Sequence, residues 1–116
     1  MTNKQNLGAW GEKQALKYLL NNNYQLLAQN WRFGRKELDL IMKLSEEIIA
    51  IEVKTRKSAF ALNHALLSVY QLTRLRQALR AYCYLHGYSY QKSRLDLITL
   101  VSDRPKHFLL HHYRNL

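Results

Sequence analysis

The sequence predicts an α/β domain in which a mixed sheet is flanked by helices, in the order α-β-β-β-α-β-β. Two observations predict it. Two long segments carry apolar residues at helical spacing, and five shorter segments are rich in aliphatic residues between polar turns. The 116 residues contain no repeat, linker or low-complexity tract, so we expect a single domain over residues 1–116.

The first helix is predicted from Leu7 to Asn22. At about 100° per residue its apolar side chains share one broad arc with Gly8 and Gly11, whose lack of side chains would let another backbone come close. Glu12 is the exception, because it lies inside the apolar arc. The ordinary interpretation is either an acid at the margin of the arc whose carboxylate reaches water, or an early-helix acid that is favoured by the helix dipole.

The second helix is predicted from Ala65 to Leu85, and Gly87 is typical of a residue that ends a helix. Five strands complete the domain. We place them at Tyr24–Phe33, Leu38–Met42, Ile48–Val53, Arg94–Val101 and His107–Tyr113.

The second and third strands form a predicted hairpin with a carboxylate inside each apolar run. Alternation along a strand puts Asp39 on one face of the first run, and Glu52 with Lys54 on one face of the second. If residues 44–47 form a four-residue loop, Asp39 lies opposite Glu52 and Glu37 lies opposite Lys54. The same register brings two apolar sets together, which supports it: Leu38, Leu40 and Met42, with Ile49, Ile51 and Val53.

Opposed carboxylates repel each other, so this pair requires compensation. A divalent cation would provide it, because Asp and Glu oxygens suit Mg²⁺, which also keeps waters and binds phosphate oxygens. Lys54 could then orient the attacking water or stabilise developing negative charge. The alternative is that Glu37–Lys54, and Asp39 with an arginine, are surface ion pairs on a solvated sheet face.

The chain is strongly basic, with 18 Lys and Arg against 8 Asp and Glu and a formal charge of +10. A basic surface attracts polyanions, and phosphate neutralisation supplies most non-specific affinity for nucleic acid. Charge alone does not separate DNA from RNA, or binding from cleavage. The candidate phosphate-contacting residues are Arg56, Lys57, Arg74 and Arg76, with Arg80, Lys92, Arg94, Arg104 and Lys106 completing the set.

Other features limit the class of protein. Cys83 is the single cysteine, which excludes an intrachain disulfide and favours a reducing cytoplasm. No apolar run approaches the roughly 20 residues that span a bilayer, so no membrane association is expected. His111 and His112 are neighbours on one strand and point to opposite faces, and neither is assigned a role.

Several motifs together closely resemble those of the YraN-like family of uncharacterised bacterial proteins. They are the helical GxxGE at Gly8–Glu12, ELDLI at Glu37–Ile41, EVK at Glu52–Lys54, the strand Arg94–Ile98, and a closing strand rich in histidine. That family resembles the archaeal Holliday junction resolvases and looks like a member of the restriction-endonuclease-like, PD-(D/E)XK, superfamily. The likeness covers nearly the whole chain.

The resemblance implies a three-layer nuclease fold and a role for each of four residues. Asp39 matches the metal-binding aspartate, Glu52 the second carboxylate, Lys54 the catalytic lysine, and Glu12 a helical glutamate that reaches the same metal. The implied cofactor is Mg²⁺ or Mn²⁺. The chain departs from the family in having Lys36 where a glycine precedes the first acidic motif, and Tyr70 or Gln71 where the long helix opens with a lysine.

The first functional hypothesis is a Mg²⁺-dependent endonuclease that acts on DNA, with branched or structured DNA suggested by the resolvases. Paired cuts in branched DNA would need two sites, hence a homodimer. The alternatives are a nucleic-acid-binding module without turnover, and an interaction protein whose basic surface meets an acidic partner.

Overall fold

The computed structural model describes residues 4–59, 67–104 and 106–116. The predicted order of elements is confirmed, with a short 3₁₀ helix added before the fourth strand. The elements are α1 (Lys4–Asn21), β1 (Gln25–Phe33), β2 (Lys36–Leu44), β3 (Glu47–Arg56), α2 (Val69–His86), the 3₁₀ helix (Tyr90–Lys92), β4 (Ser93–Arg104) and β5 (His107–Tyr113).

The strands form a mixed sheet in the sequential order β1-β2-β3-β4-β5. β3 and β4 run parallel, and the other neighbouring pairs run antiparallel. A parallel pair needs a long crossover connection, and α2 lies in the segment that makes it. The mixed sheet predicted from the sequence is therefore confirmed.

The two helices cover opposite faces of the sheet, which gives three layers. Under α1, Ala15 and Leu19 pack on a fully buried aliphatic cluster that includes Ile49 and Ile98. Under α2, the cluster contains Leu38, Ile41, Ile48, Ala50, Leu75, Ala78, Leu79, Tyr82, Cys83 and Leu95. This architecture is the one expected of a restriction-endonuclease-like domain. Neither described helix is long and apolar enough to cross a membrane.

α2 begins later than predicted. Ser68 is its N-cap, and a capping box joins Ser68 to Gln71 through reciprocal hydrogen bonds of 3.1 and 3.2 Å. Leu67 therefore precedes the helix, and the predicted start at Ala65 lies outside the described residues. Gly87 ends the helix as predicted, with the left-handed φ of 75° that glycine adopts without strain.

Gly11 allows α1 to approach the sheet closely. A Cβ at this position would overlap the Thr55 hydroxyl and lie 2.9 Å from the Thr55 Cβ atom, which is closer than carbon atoms pack. A Cβ at Gly8 would meet no atom within 4 Å. The expected close approach is thus confirmed at Gly11 and wrong at Gly8.

The β2–β3 hairpin keeps the predicted register over the part that pairs. Lys43 lies opposite Ile48 as expected, but Leu44 also pairs with Glu47, so the loop has two residues rather than four. The register runs outward to Leu40 opposite Ile51. Asp39 comes next on β2, at the point where this pairing ends.

The predicted facing of Leu38 is wrong. Leu40 and Met42 pack under α1 as expected, whereas Leu38 belongs to the cluster under α2. Leu38 lies beyond the last β2–β3 pair and opposite Trp31 of β1, whose ring meets Tyr82 of α2 edge-on at 5.2 Å. The change of face between Leu38 and Leu40 falls next to Asp39.

Candidate active site at the open end of the hairpin

Asp39 lies where β2 and β3 diverge. Its Oδ2 atom accepts a 2.9 Å hydrogen bond from the backbone N–H of Val53. The carboxylate thus satisfies a β3 donor beyond the last β2–β3 pair. Asp39 is held by the backbone of the strand that carries Glu52 and Lys54, which fixes the three residues relative to one another.

Glu52 is the most perturbed acid of the site. Its half-buried position, followed by the hydrogen bond to Asp39 and the charge of Asp39, raises the pKa of Glu52 to about 9. The Lys54 ammonium and the Val53 N–H act in the opposite direction. In the metal-free protein the pKa of Glu52 therefore lies above neutral pH, because burial and the neighbouring Asp39 disfavour its charged form.

α1 brings Glu12 to the same region. Burial, followed by the charges of Asp39 and then Glu37, raises the pKa of Glu12. Gly11 permits the close contact of α1 with β3 that sets the position of the next residue. The placement of Glu12 near Asp39 favours the predicted site over the ordinary interpretation of an early-helix acid.

Asn30 is a member of the site that the sequence did not indicate. With its amide oriented by its hydrogen-bond partners, the nitrogen donates to the Oε1 atoms of Glu12 and Glu37, at 3.2 Å each. Asn30 has a left-handed φ of 50°, which asparagine tolerates better than most residues. Asn30 thereby connects Glu12 of α1 to Glu37 of β2.

The surface ion pairs considered as an alternative are not found among the described residues. Glu37 pairs with Arg32 at 3.4 Å, and neither Asp39 nor Lys54 has a salt-bridge partner within 4.0 Å there. The carboxyl pair is therefore compensated by neither an arginine nor a direct ion pair with its lysine.

The donor set suits one mode of metal binding. In the part of the chain that the structure describes, no three His, Cys, Asp or Glu side chains converge into a preformed cage. Mg²⁺ is commonly held by one or two carboxylates, with water and substrate phosphate completing its coordination. Asp39 and Glu52 fit that mode, while binding of Glu12 to the same ion stays a prediction.

A groove of about 150 Å³ lies beside Glu52. Glu52 and Glu37 contribute its acidic groups, and three cations face the same space. The groove is lined by Arg35, Lys36, Glu37, Glu52, Gln71, Arg74 and Leu75. Lys36, Gln71 and Arg74 thus line the same groove as Glu52. Lys36 is one position where the sequence departs from the pattern of the resembled family, and Gln71 is one of the two residues considered for the other.

The candidate phosphate-contacting residues have different environments. Arg74 lies in the groove, whereas the Nη2 atom of Arg76 donates to the carbonyl of Leu116 at 2.9 Å. Arg56 donates to the neighbouring carbonyl of Thr55, and Lys57 is exposed beyond it. Of these four residues, Arg74 lines the groove together with Glu52, and phosphate contact by any of them stays a prediction.

The inclusion of Arg94 among the phosphate-contacting candidates is wrong. Its side chain is only 13% exposed and forms ion pairs of 2.8 Å with Glu47 and 3.1 Å with Asp96. It also donates a 3.2 Å hydrogen bond to the Tyr24 hydroxyl. Arg94 is therefore a buried structural cation, because its charge is already neutralised by two carboxylates.

His112 also has a role that the sequence did not indicate. Its Nε2 atom lies 2.7 Å from a carboxylate oxygen of the fully buried Asp96, and its Nδ1 atom lies 2.9 Å from the Tyr18 hydroxyl. Burial alone would raise the pKa of Asp96, but the hydrogen bonds from His112 and Arg94 lower it. This network joins β4, β5 and α1. His111 is exposed, which confirms that the two histidines point to opposite faces.

Comparisons with known proteins agree with the family resemblance that the sequence motifs indicated. The model of the uncharacterised protein family UPF0102 matches residues 11–100. A UPF0102 protein of Nocardioides sp. is 31% identical over 114 residues, which are 97% of this chain and 92% of the relative. A UPF0102 protein of Corynebacterium glutamicum strain R is 37% identical, over 88% of this chain and 83% of the relative. A UPF0102 protein of Phocaeicola vulgatus is 33% identical, over 96% of this chain and 92% of the relative. The match includes Asp39, Glu52 and Lys54, and the chain belongs to the protein family UPF0102.

Proposed function

We propose that this protein is a divalent-metal-dependent endonuclease that hydrolyses phosphodiester bonds in DNA, with branched or structured DNA as its substrate. The observation that carries the proposal is the Asp39–Glu52 pair. Burial, followed by the contact with Asp39, raises the pKa of Glu52 to about 9. Such an arrangement is unfavourable for folding alone, and perturbed pairs of this kind are typical of functional sites.

Each residue of the site has a part in this reaction. Asp39 and Glu52 would hold Mg²⁺ or Mn²⁺, and the Val53 N–H orients Asp39 through a hydrogen bond. The bound ion supplies charge neutralisation and a more acidic water. Lys54, whose charge acts on Glu52, positions the attacking water or stabilises negative charge on the phosphate. Glu12 adds a further carboxyl group near Asp39.

The charge of the chain supports a polyanionic substrate. The net charge of +10 favours association with the DNA backbone, and Arg35, Lys36 and Arg74 line the groove next to Glu52. Contacts to phosphate position a nucleic acid without reading its sequence, which is the behaviour required of an enzyme that recognises DNA structure. Paired cuts in branched DNA would need two such sites, so we include a homodimer in the proposal.

A cleavage screen tests the proposal. Duplex, branched and single-stranded oligonucleotides are incubated with the protein and Mg²⁺ or Mn²⁺, beside the variants Asp39→Asn and Glu52→Gln. Glu46→Gln is the matched control, because Glu46 is an exposed acid in the turn of the same hairpin. We expect cleavage by the unmodified protein and by Glu46→Gln, and none by the two site variants. Cleavage that survives both site substitutions would exclude this site as its source.

A nucleic-acid-binding module without turnover is the second candidate. One observation favours it: among the described residues, no group of three His, Cys, Asp or Glu side chains is arranged to hold a metal ion. Its mark would be salt-sensitive binding of DNA without cleavage of any substrate in the screen.

A further inference from the structure

Arg74 connects the groove at Glu52 with an exposed aromatic ring. It lines the groove, and its Nη2 atom donates to the Arg35 carbonyl at 3.3 Å. Its Nη1 atom lies 3.4 Å from the hydroxyl of Tyr70, one helical turn earlier, and its Cζ atom lies 5.6 Å from the centre of that ring. The guanidinium is thus held between Tyr70 and the groove.

The charge of Arg74 is available to an anion. In the described part of the chain its hydrogen bonds go to uncharged oxygens, and no carboxylate lies within salt-bridge distance of it. Arg35 and Lys36 line the same groove, while Glu37 is paired with Arg32. A planar guanidinium in such a setting suits a phosphate group.

Tyr70 is more exposed than the aromatic residues that pack around Tyr82, and Tyr84 is a second exposed ring on the same helix. Trp31 stacks on Phe33 and meets Tyr82, and Tyr88 stacks on Tyr82. Tyr70 is 70% exposed, and Arg74 is its contact within the described residues. A large ring left in water next to a phosphate-sized groove has the properties of a stacking platform for a base.

We propose that the groove beside Glu52 binds a nucleotide whose base is unpaired, with Arg74 on its phosphate and Tyr70 stacked on its base. Bases within a duplex are covered on both sides by their neighbours, so a ring of this kind selects an unstacked base. The inference rests on the proposed function and names its substrate class, DNA with a single-stranded segment at the cleavage site.

Equilibrium binding tests the inference without requiring turnover. Fluorescence anisotropy in EDTA compares a 5′-labelled single strand with the duplex of the same sequence, for the unmodified protein, Tyr70→Ala and Tyr70→Phe. Tyr84→Ala is the matched control, because Tyr84 is 79% exposed on the same helix and is not among the residues that line the groove. Thermal unfolding followed by circular dichroism checks that each variant is folded.

We expect Tyr70→Ala to weaken single-strand binding about tenfold and to leave duplex binding unchanged, since base stacking is the interaction removed. Tyr70→Phe keeps the ring and should retain the affinity, as should Tyr84→Ala. Arg74→Gln should weaken both complexes and lower their salt dependence by about one phosphate contact. Equal losses for single strand and duplex in Tyr70→Ala, or no loss in either, would overturn the inference.

The outcomes separate this inference from the proposed function. If Tyr70→Ala loses single-strand affinity but no preparation cleaves DNA with Mg²⁺ or Mn²⁺, the binding subsite stands and the nuclease proposal fails. If the protein cleaves DNA through Glu52 but Tyr70→Ala binds and cuts like the unmodified protein, the nuclease proposal stands and the subsite fails.

Discussion

Replacement of Gly11 by alanine should destabilise the fold at the site itself. The new Cβ would meet the Thr55 hydroxyl and lie 2.9 Å from the Thr55 Cβ atom. Thr55 is buried in β3, where it lies opposite Leu100 of β4, so the strand cannot move away without disturbing its pairing with β4. α1 must shift instead, and Glu12 shifts with it.

Gly8→Ala provides the matched comparison for the size of the effect. Both substitutions gain the same helix propensity, about 0.5–1 kcal/mol, because both glycines lie in α1. Gly8→Ala meets no atom within 4 Å and should keep that gain. The difference between the two variants therefore isolates the overpacking term, which is about 1–3 kcal/mol.

Urea and thermal unfolding followed by circular dichroism measure this difference. For a chain of this size about 1 kcal/mol corresponds to roughly 4 °C in Tm, so Gly11→Ala should melt about 4–12 °C below Gly8→Ala. Adding Thr55→Ala to Gly11→Ala should recover part of the loss, because it removes the hydroxyl and the methyl group that the new Cβ meets. Equal stability of Gly11→Ala and Gly8→Ala would refute the close approach of α1 to β3.

Three further predictions concern pH and capping. Because the pKa of Glu52 is raised, the contribution of this group to the stability of the metal-free protein is fully present below about pH 4.5 and is lost as the pH rises toward about 9. Urea titrations at pH 5, 7 and 9 should show a smaller decline of stability with pH in Glu52→Gln, and an unchanged decline would contradict the shift. Asp96→Asn removes a buried charge that Arg94 and His112 compensate, so it should cost about 3 kcal/mol at pH 7. Because the pKa of Asp96 is lowered, that contribution is present above pH 3.8 and is lost as the pH falls through the lowered value, so the two proteins should converge in acid. Ser68→Ala removes the N-cap of α2 and should cost about 1 kcal/mol in the same assay, with Ser89→Ala as control, since Ser89 makes no side-chain cap bond.

The sequence predicted those parts of the fold that depend on local periodicity. Apolar spacing placed both helices and all five described strands in the right order, and β5 matched its predicted bounds, His107–Tyr113. Strand alternation and the helical wheel also singled out Asp39, Glu52 and Glu12, because a carboxylate inside an apolar run is visible without any tertiary knowledge. The pKa shifts of the two glutamates agree with that reasoning.

The features that the sequence did not predict depend on contacts between distant segments. Leu38 faces α2 because β2 separates from β3 at Asp39 and stays paired with β1. The alternation of apolar and polar residues within β2 does not show where this separation occurs. In the sequence, Arg94 cannot be distinguished from the other basic residues. Its 2.8 Å ion pair with Glu47 exists only because β4 pairs with β3 in the fold. His112 and Asn30 likewise acquire their partners from other elements.

The Asp39–Glu52 pair should bind a divalent cation. Calorimetric titration of Mn²⁺ at pH 7, in two buffers of different ionisation enthalpy, tests it directly. Because the pKa of Glu52 is about 9 in the metal-free protein, binding of the ion should release close to one proton per chain and should be lost in Glu52→Gln. Absence of binding, or binding that releases no proton and persists in Glu52→Gln, would contradict the account.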